Sequence, residues 1–269
     1  MRRVLLLTVL PLPLCLFLNS CTVDGGKSQL PKLTTYNYHR PAYRPLNPDN
    51  VRVKVSLQNQ ALYVLEGDRV LLVSAVGVGT PQSPTPVGNF RVTLKDAERR
   101  NRTYGFWVNN ATGQIVSGSV HQSPGAGWSF RGYPMPYWVE WMPAYGFHEG
   151  FVHLTPRSKG CVRVPRHVAP KFFALVKVGT PISIQQRQPE DLTIGARLAR
   201  PNDAPLPNPD PRWLMSQAPY EKPTFTLFEE GEPPLLSQLA ASSASAQARS
   251  AEPAQQEQEK PITVTTISL

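Results

Sequence analysis

The sequence predicts a mainly β fold with one or two short helices, and three observations support this. Val51, Val53, Val55 and Leu57 alternate with polar residues, the period of a strand that buries one face. Apolar runs at Ala61–Leu65 and Val70–Val78 flank the turn signal Glu66-Gly67-Asp68, which is the spacing of a β-meander. No long segment repeats apolar residues at helical spacing.

The chain begins with a segment that reads as a signal peptide over residues 1–20. Arg2 and Arg3 form a charged start, and Val4–Leu18 is largely apolar but interrupted by Pro11 and Pro13. Such a run is too short and too broken to span a bilayer comfortably. It ends in Leu18-Asn19-Ser20-Cys21, which resembles the lipobox of bacterial lipoproteins, with Asn19 an unusual residue at its position. That resemblance implies lipidation of Cys21 and a membrane anchor through the N-terminal lipid. Thr22 stands where an aspartate commonly retains such proteins at the inner membrane, so the expectation is an exported, periplasmic lipoprotein held at the outer membrane. Residues 21–47 are polar and proline-dotted and read as a linker.

The folded domain is expected over residues 48–186. Its meander is followed by a loop punctuated by Pro81, Pro84, Pro86 and Gly88, and a further strand begins at Phe90 and Val92. Trp107, Val108, Ile115, Val116, Val120, Trp138, Val139 and Trp141 continue a β-branched and aromatic pattern with glycine-rich breaks. Arg166–Lys177 is the one helix candidate, with Val168, Phe172, Phe173, Leu175 and Val176 on its apolar face. Pro170 is tolerable there only in the first turn. Pro181–Ile184 closes the domain as a strand. Residues 187–269 change character. Five prolines fall between Pro201 and Pro211, and residues 237–259 are mostly Ser, Ala, Gln and Glu. This stretch reads as a largely disordered tail, although Trp213, Phe225 and Phe228 could dock on the domain.

The formal net charge is +9, unevenly placed. Residues 186–269 hold 7 Lys/Arg against 11 Asp/Glu, and the rest of the chain holds 21 against 8. A basic exported domain suits an anionic partner such as cell-wall polymer or lipid headgroups. Nucleic acid does not fit that compartment. Of the three cysteines, Cys15 lies inside the signal and Cys21 would be lipidated, so Cys161 has no partner for a disulfide.

The neighbours of Cys161 give it chemistry. Tyr145-Gly146-Phe147-His148-Glu149-Gly150 precedes Ser158-Lys159-Gly160-Cys161-Val162-Arg163-Val164-Pro165. A thiol attacks as thiolate and needs a base or a positive setting. In an extended segment Lys159 and Arg163 share the cysteine's face and would favour that thiolate. Gly160 permits close approach and frees adjacent N–H groups for an oxyanion. His148 can act as base if the chain folds back as a hairpin. A zinc site built from His148, His153 and Cys161 fits no standard spacing, and the flanking cations repel a metal ion. No cofactor is therefore expected, and His153 reads as a surface residue. Glu149 is either solvated, or repels anionic acceptors, or orients His148.

The segment His148-x-Gly150 followed by Ser158-x-Gly160-Cys161-Val162-Arg163 resembles the signature of the YkuD-type L,D-transpeptidase domain. A second match supports it: Gln60–Val64, Gly77-Val78-Gly79, and Thr85-Pro86-Val87-Gly88-Asn89-Phe90 resemble the family's opening strands and its Thr-Pro-x-Gly-x-Phe element. The resemblance implies an L,D-transpeptidase-type β-sandwich and peptidoglycan stem peptides as substrate. It makes Cys161 the nucleophile and His148 the general base. Gly160 and Cys161 become the oxyanion backbone, Ser158 supports the loop, and Arg163 contacts substrate. Lys159 replaces the family's usual histidine and is expected in the substrate-binding region.

Three functions follow as expectations. The first is transfer of the stem acyl group to an amine, either on a second stem or on a cell-wall-linked protein. The second is hydrolysis at the same site. The third is a non-catalytic lipoprotein that grips peptidoglycan.

Overall fold

Alternation at Val51, Val53 and Val55 has the consequence the sequence suggests. β1 (Val51–Ser56) pairs antiparallel with β2 (Ala61–Glu66), which pairs antiparallel with β3 (Arg69–Ala75). The protein is described by a computed structural model over residues 33–241. The signal-peptide segment and the lipidation position Cys21 lie outside the described residues, as does the chain after residue 241. Among the described residues no helix is long and apolar enough to cross a membrane.

β1 is central. On its other side it runs parallel to β12 (Pro181–Gln185), which pairs with β4 (Gly88–Arg91), giving the five-strand order β3-β2-β1-β12-β4. A second sheet has the order β11-β10-β9-β5, formed by β5 (Leu94–Asp96), β9 (Trp138–Met142), β10 (Tyr145–Glu149) and β11 (Val162–Val164). One core joins the two sheets, built from Val53, Leu62, Val64 and Ile184 of the first with Val139, Trp141, Phe147 and Val162 of the second. A third sheet, β7-β6-β8, comprises β6 (Arg100–Asn109), β7 (Ile115–Ser119) and β8 (Trp128–Pro134). It is a flap made of one antiparallel trio, with exposed Tyr104 and Tyr133 on it.

The expected helix is α1 (Ala169–Leu175), shorter than the apolar stripe. Pro170 sits in its first turn, where the missing N–H costs nothing, and Phe172 and Leu175 enter the core. A second helix, α2 (Pro211–Met215), lies beyond the expected domain and is capped by the Asp210 carboxylate, which accepts from the Arg212 N–H. A third helical run occupies residues 236–241.

The segments read as linker and tail are structured where they are described. Ala42 is fully buried and bridges Leu72, and the Tyr38 hydroxyl accepts from the Ala75 N–H at 2.9 Å. Residues 234–236 bond to Asp68 and Val70 from the other flank. Together they cover the outer edge of β3, whose backbone groups would otherwise stand unpaired. Asp203 is 1% exposed and ties three segments together. Its two carboxylate oxygens accept from Thr35 N (2.9 Å) and Val152 N (2.7 Å), while its own N–H donates to the Val152 carbonyl. Polar, proline-rich composition does not report this docking, which rests on a few residues. Tyr38, Ala42 and Asp203 anchor one side, with Leu214 and Tyr220 on the other, and the prolines between hold an extended path.

Removing the Asp203 carboxylate leaves two buried N–H groups without acceptors. Asp203→Ala is expected to cost about 2–4 kcal/mol. That corresponds to a drop of roughly 5–10 °C in melting midpoint, read by circular dichroism.

Candidate active site

β10 and β11 run parallel, with Phe147 opposite Val162 and His148 opposite Arg163. Extending that register by one residue sets Cys161 beside Gly146. Side chains alternate along a strand, so Cys161, His148 and Arg163 share a face. The connection is therefore not the hairpin expected from sequence. Residues 150–161 cross over, as a parallel pairing requires. On the way Ser158 bridges Gly79 in parallel.

The turn before Cys161 is held by one hydroxyl. Ser158 is 2% exposed; its Oγ accepts from the Gly160 N–H at 3.0 Å and donates to the Cys161 carbonyl at 2.5 Å. Gly160 has φ +105°, and a Cβ there would lie 2.5 Å from the Tyr145 ring. Glycine is thus required twice over, by conformation and by space. Since its N–H is engaged by Ser158, Gly160 supports the loop rather than an oxyanion. The Cys161 N–H makes no hydrogen bond among the described residues and is the donor left for that role. The second motif lies directly beneath: the Thr85 hydroxyl accepts from the Gly79 N–H at 2.9 Å, and the Pro84 carbonyl abuts Gly160.

The positive φ at Gly160 also breaks the alternation assumed for Lys159. Its ammonium lies 3.6 Å from the centre of the Tyr104 ring, on the flap. Arg163 is the cation that acts on the thiol. Burial pushes the Cys161 thiol up, while the Gly146 N–H and Arg163 pull it back down. His148 is pushed down to about 4, first by burial and then by Arg163. Its Nδ1–H donates to the Glu149 carbonyl at 2.7 Å. That bond fixes the tautomer and leaves Nε2 unprotonated, able to take a proton. So it is Glu149's backbone, not its carboxylate, that orients His148. The carboxyl is itself half-buried, and burial raises it to about 7 against the pull of Arg166.

Cys161 and His148 line one cavity of about 600 Å³. Arg157, Ser158, Lys159, Arg163 and Arg166 also line it, as does His153, which is half-buried with its Nδ1 unpartnered rather than on the surface. The flap contributes Tyr104 and Tyr133. Two further walls come from the flanks: Tyr36 from the N-terminal one, and Asp203, Leu206 and Trp213 from the C-terminal one, where Trp213 was a docking candidate and the others were not legible in sequence. The aromatic residues scattered through both flanks were the available signal.

A half-buried thiol and a neutral imidazole on one face of paired strands, lining one basic cavity of a β-sandwich, form an arrangement suited to thiol acyl transfer. The chain belongs to the YkuD family: the model of the L,D-transpeptidase catalytic domain matches residues 50–184. Similar solved structures include an L,D-transpeptidase from Stackebrandtia nassauensis, at 16% identity over 55% of this chain and 60% of that one (TM-score 0.38). Another is from Mycobacterium smegmatis, at 18% over 51% and 58% (TM-score 0.38). A third is the E. faecium L,D-transpeptidase catalytic domain, at 24% over 51% and 98% (TM-score 0.37). This chain spans less than two thirds of the length of the first two. No curated protein matches it.

The resting pair is a neutral thiol and a neutral imidazole. Alkylation of Cys161 by iodoacetamide should climb with pH beyond neutrality, with no thiolate plateau between about pH 5 and 7. Arg163→Met should move that profile further up. Gly160→Ala should lower the melting midpoint and reduce turnover by about tenfold or more, because a side chain at that φ displaces the turn that carries Cys161.

Proposed function

We propose that this protein is an exported, lipid-anchored peptidoglycan L,D-transpeptidase in which Cys161 is the nucleophile and His148 the general base. The observation that carries this reading is the shared face of β10 and β11, with the His148 tautomer fixed by the Glu149 carbonyl. The family domain supplies the reaction class.

The chemistry follows from the groups present. As Sγ attacks the carbonyl carbon of a stem peptide bond, its proton passes to His148 Nε2. The carbonyl oxygen takes the negative charge and accepts a hydrogen bond from the Cys161 N–H. Collapse breaks the C–N bond, His148 returns the proton to the departing amine of the terminal D-residue, and a thioester on Cys161 is left. An incoming amine attacks the thioester, His148 takes its proton, and the sulfur leaves. Neutral histidine suits this cycle, since it must accept a proton before it gives one. Arg163 offsets negative charge on sulfur at each stage. The amine would come from a second stem or from a cell-wall-linked protein, and the lipid at Cys21 would hold the enzyme at the outer membrane, close to the polymer.

The test is release of the terminal D-amino acid from tetrapeptide stems by the mature protein. Release should be lost in Cys161→Ala and fall by about a hundredfold or more in His148→Ala. Mass analysis with an added amine should show the amine-linked product. Free tripeptide alone would make the protein a hydrolase, and unchanged stems would contradict enzymatic function altogether.

A further inference from the structure

Arg166 sits in the catalytic cavity three residues beyond Arg163, and neither sequence motif assigns it a role. Its guanidinium makes no hydrogen bond or ion pair with any described residue. Its carbon centre lies 5.9 Å from the Tyr36 ring and 5.8 Å from the Trp213 ring, so two aromatic residues frame it. Such framing holds a guanidinium in place while leaving its five N–H donors for another acceptor. The acids within reach do not supply one. Asp203 spends both oxygens on backbone N–H groups. Glu149 influences Arg166 only at a distance and is held near half-protonation at neutral pH by burial.

A half-buried arginine whose donors are unspent, facing a cavity, calls for an anion from the ligand. The planar fork matches a carboxylate in two-point contact. Both aromatic residues of the frame come from outside the family domain, which spans 50–184. Tyr36 stacks edge-on against Phe151, at 6.0 Å between ring centres. Trp213 sits on α2, and the far end of that helix is clamped to the flap. Arg100 donates to the carbonyls of Leu214 (2.9 Å), Met215 (3.2 Å) and Ser216 (2.5 Å). The flank is thereby fixed at two points, Asp203 on the sandwich side and Arg100 on the flap side, with the Trp213 ring held between them.

We propose that Arg166, framed by Tyr36 and Trp213, is a carboxylate-recognition subsite for the peptide substrate, and that the two flanking segments exist in part to build it. This rests on the peptide-transfer reading above, with Arg166 acting as a binding and not a catalytic residue.

The experiment pairs turnover with binding. Against a tetrapeptide donor carrying free carboxylates, Arg166→Gln should raise KM by about tenfold or more while kcat stays within about twofold. Amidating the donor's carboxylates should remove that difference between wild type and variant. If amidating the donor changes nothing but amidating the acceptor amine's carboxylate does, the same subsite reads the acceptor. Trp213→Ala, whose side chain can be lost without burying a charge, should shift KM in the same direction. Circular dichroism melts establish that both variants fold. Calorimetry on Cys161→Ala, with and without Arg166→Gln, measures donor binding without chemistry. Binding lost with Arg166→Gln while the wild type releases no D-residue would uphold the subsite and overturn the transferase reading. Equal KM in wild type and Arg166→Gln for both charged and amidated peptides would overturn the subsite.

Discussion

The Ser158 hydroxyl is the contact on which the site depends. It accepts from the Gly160 N–H and donates to the Cys161 carbonyl, so it closes the turn that delivers the sulfur to the head of β11. The surrounding features either permit that turn or use it. Gly160 supplies the positive φ. Thr85 fastens Gly79, and Gly79 receives Ser158 as a bridge partner. Parallel pairing of β11 with β10 then sets Cys161 and His148 on one face, and the Glu149 carbonyl settles which nitrogen of the imidazole is free. The two sequence motifs are one physical unit, since the first forms the bed on which the second turns.

Electrostatics and burial oppose each other at this site. Desolvation favours the neutral forms of both Cys161 and His148, and Arg163 pulls the thiol down while it also depresses the imidazole. The outcome is a neutral thiol and a neutral imidazole rather than a preformed ion pair. A protonated thiol is a weak nucleophile at neutral pH. The surplus of cations lining the cavity favours an anionic ligand.

Much of this was legible in the residues. Alternation at Val51–Leu57 and the turn at Glu66-Gly67-Asp68 gave the first three strands, and the spacing around His148 and Cys161 marked the chemistry. What sequence could not convey was geometry set by single backbone torsions and by distant partners. The φ of Gly160 turns Lys159 away from the sulfur and onto Tyr104, so among the described residues Arg163 is the cation that bears on the Cys161 thiol. The direction of the β10–β11 pairing depends on a crossover that local pattern does not encode. The described parts of both flanks are ordered although their composition is that of a solvated chain. Their order comes from sparse anchors, with Asp203 and the clamp on Arg100 the clearest, and composition averages such residues away.

In the proposed reaction Cys161 carries the acyl group between donor and acceptor. Intact-protein mass spectrometry of the mature protein quenched with a tetrapeptide donor, in the absence of amine, tests it most directly. The expected result is a mass gain equal to the donor's acyl portion, mapped by peptide digestion to Cys161 and absent in Cys161→Ala. An adduct on another residue, or donor consumption with no adduct at any quench time in wild type and in a variant slowed at His148, would contradict it.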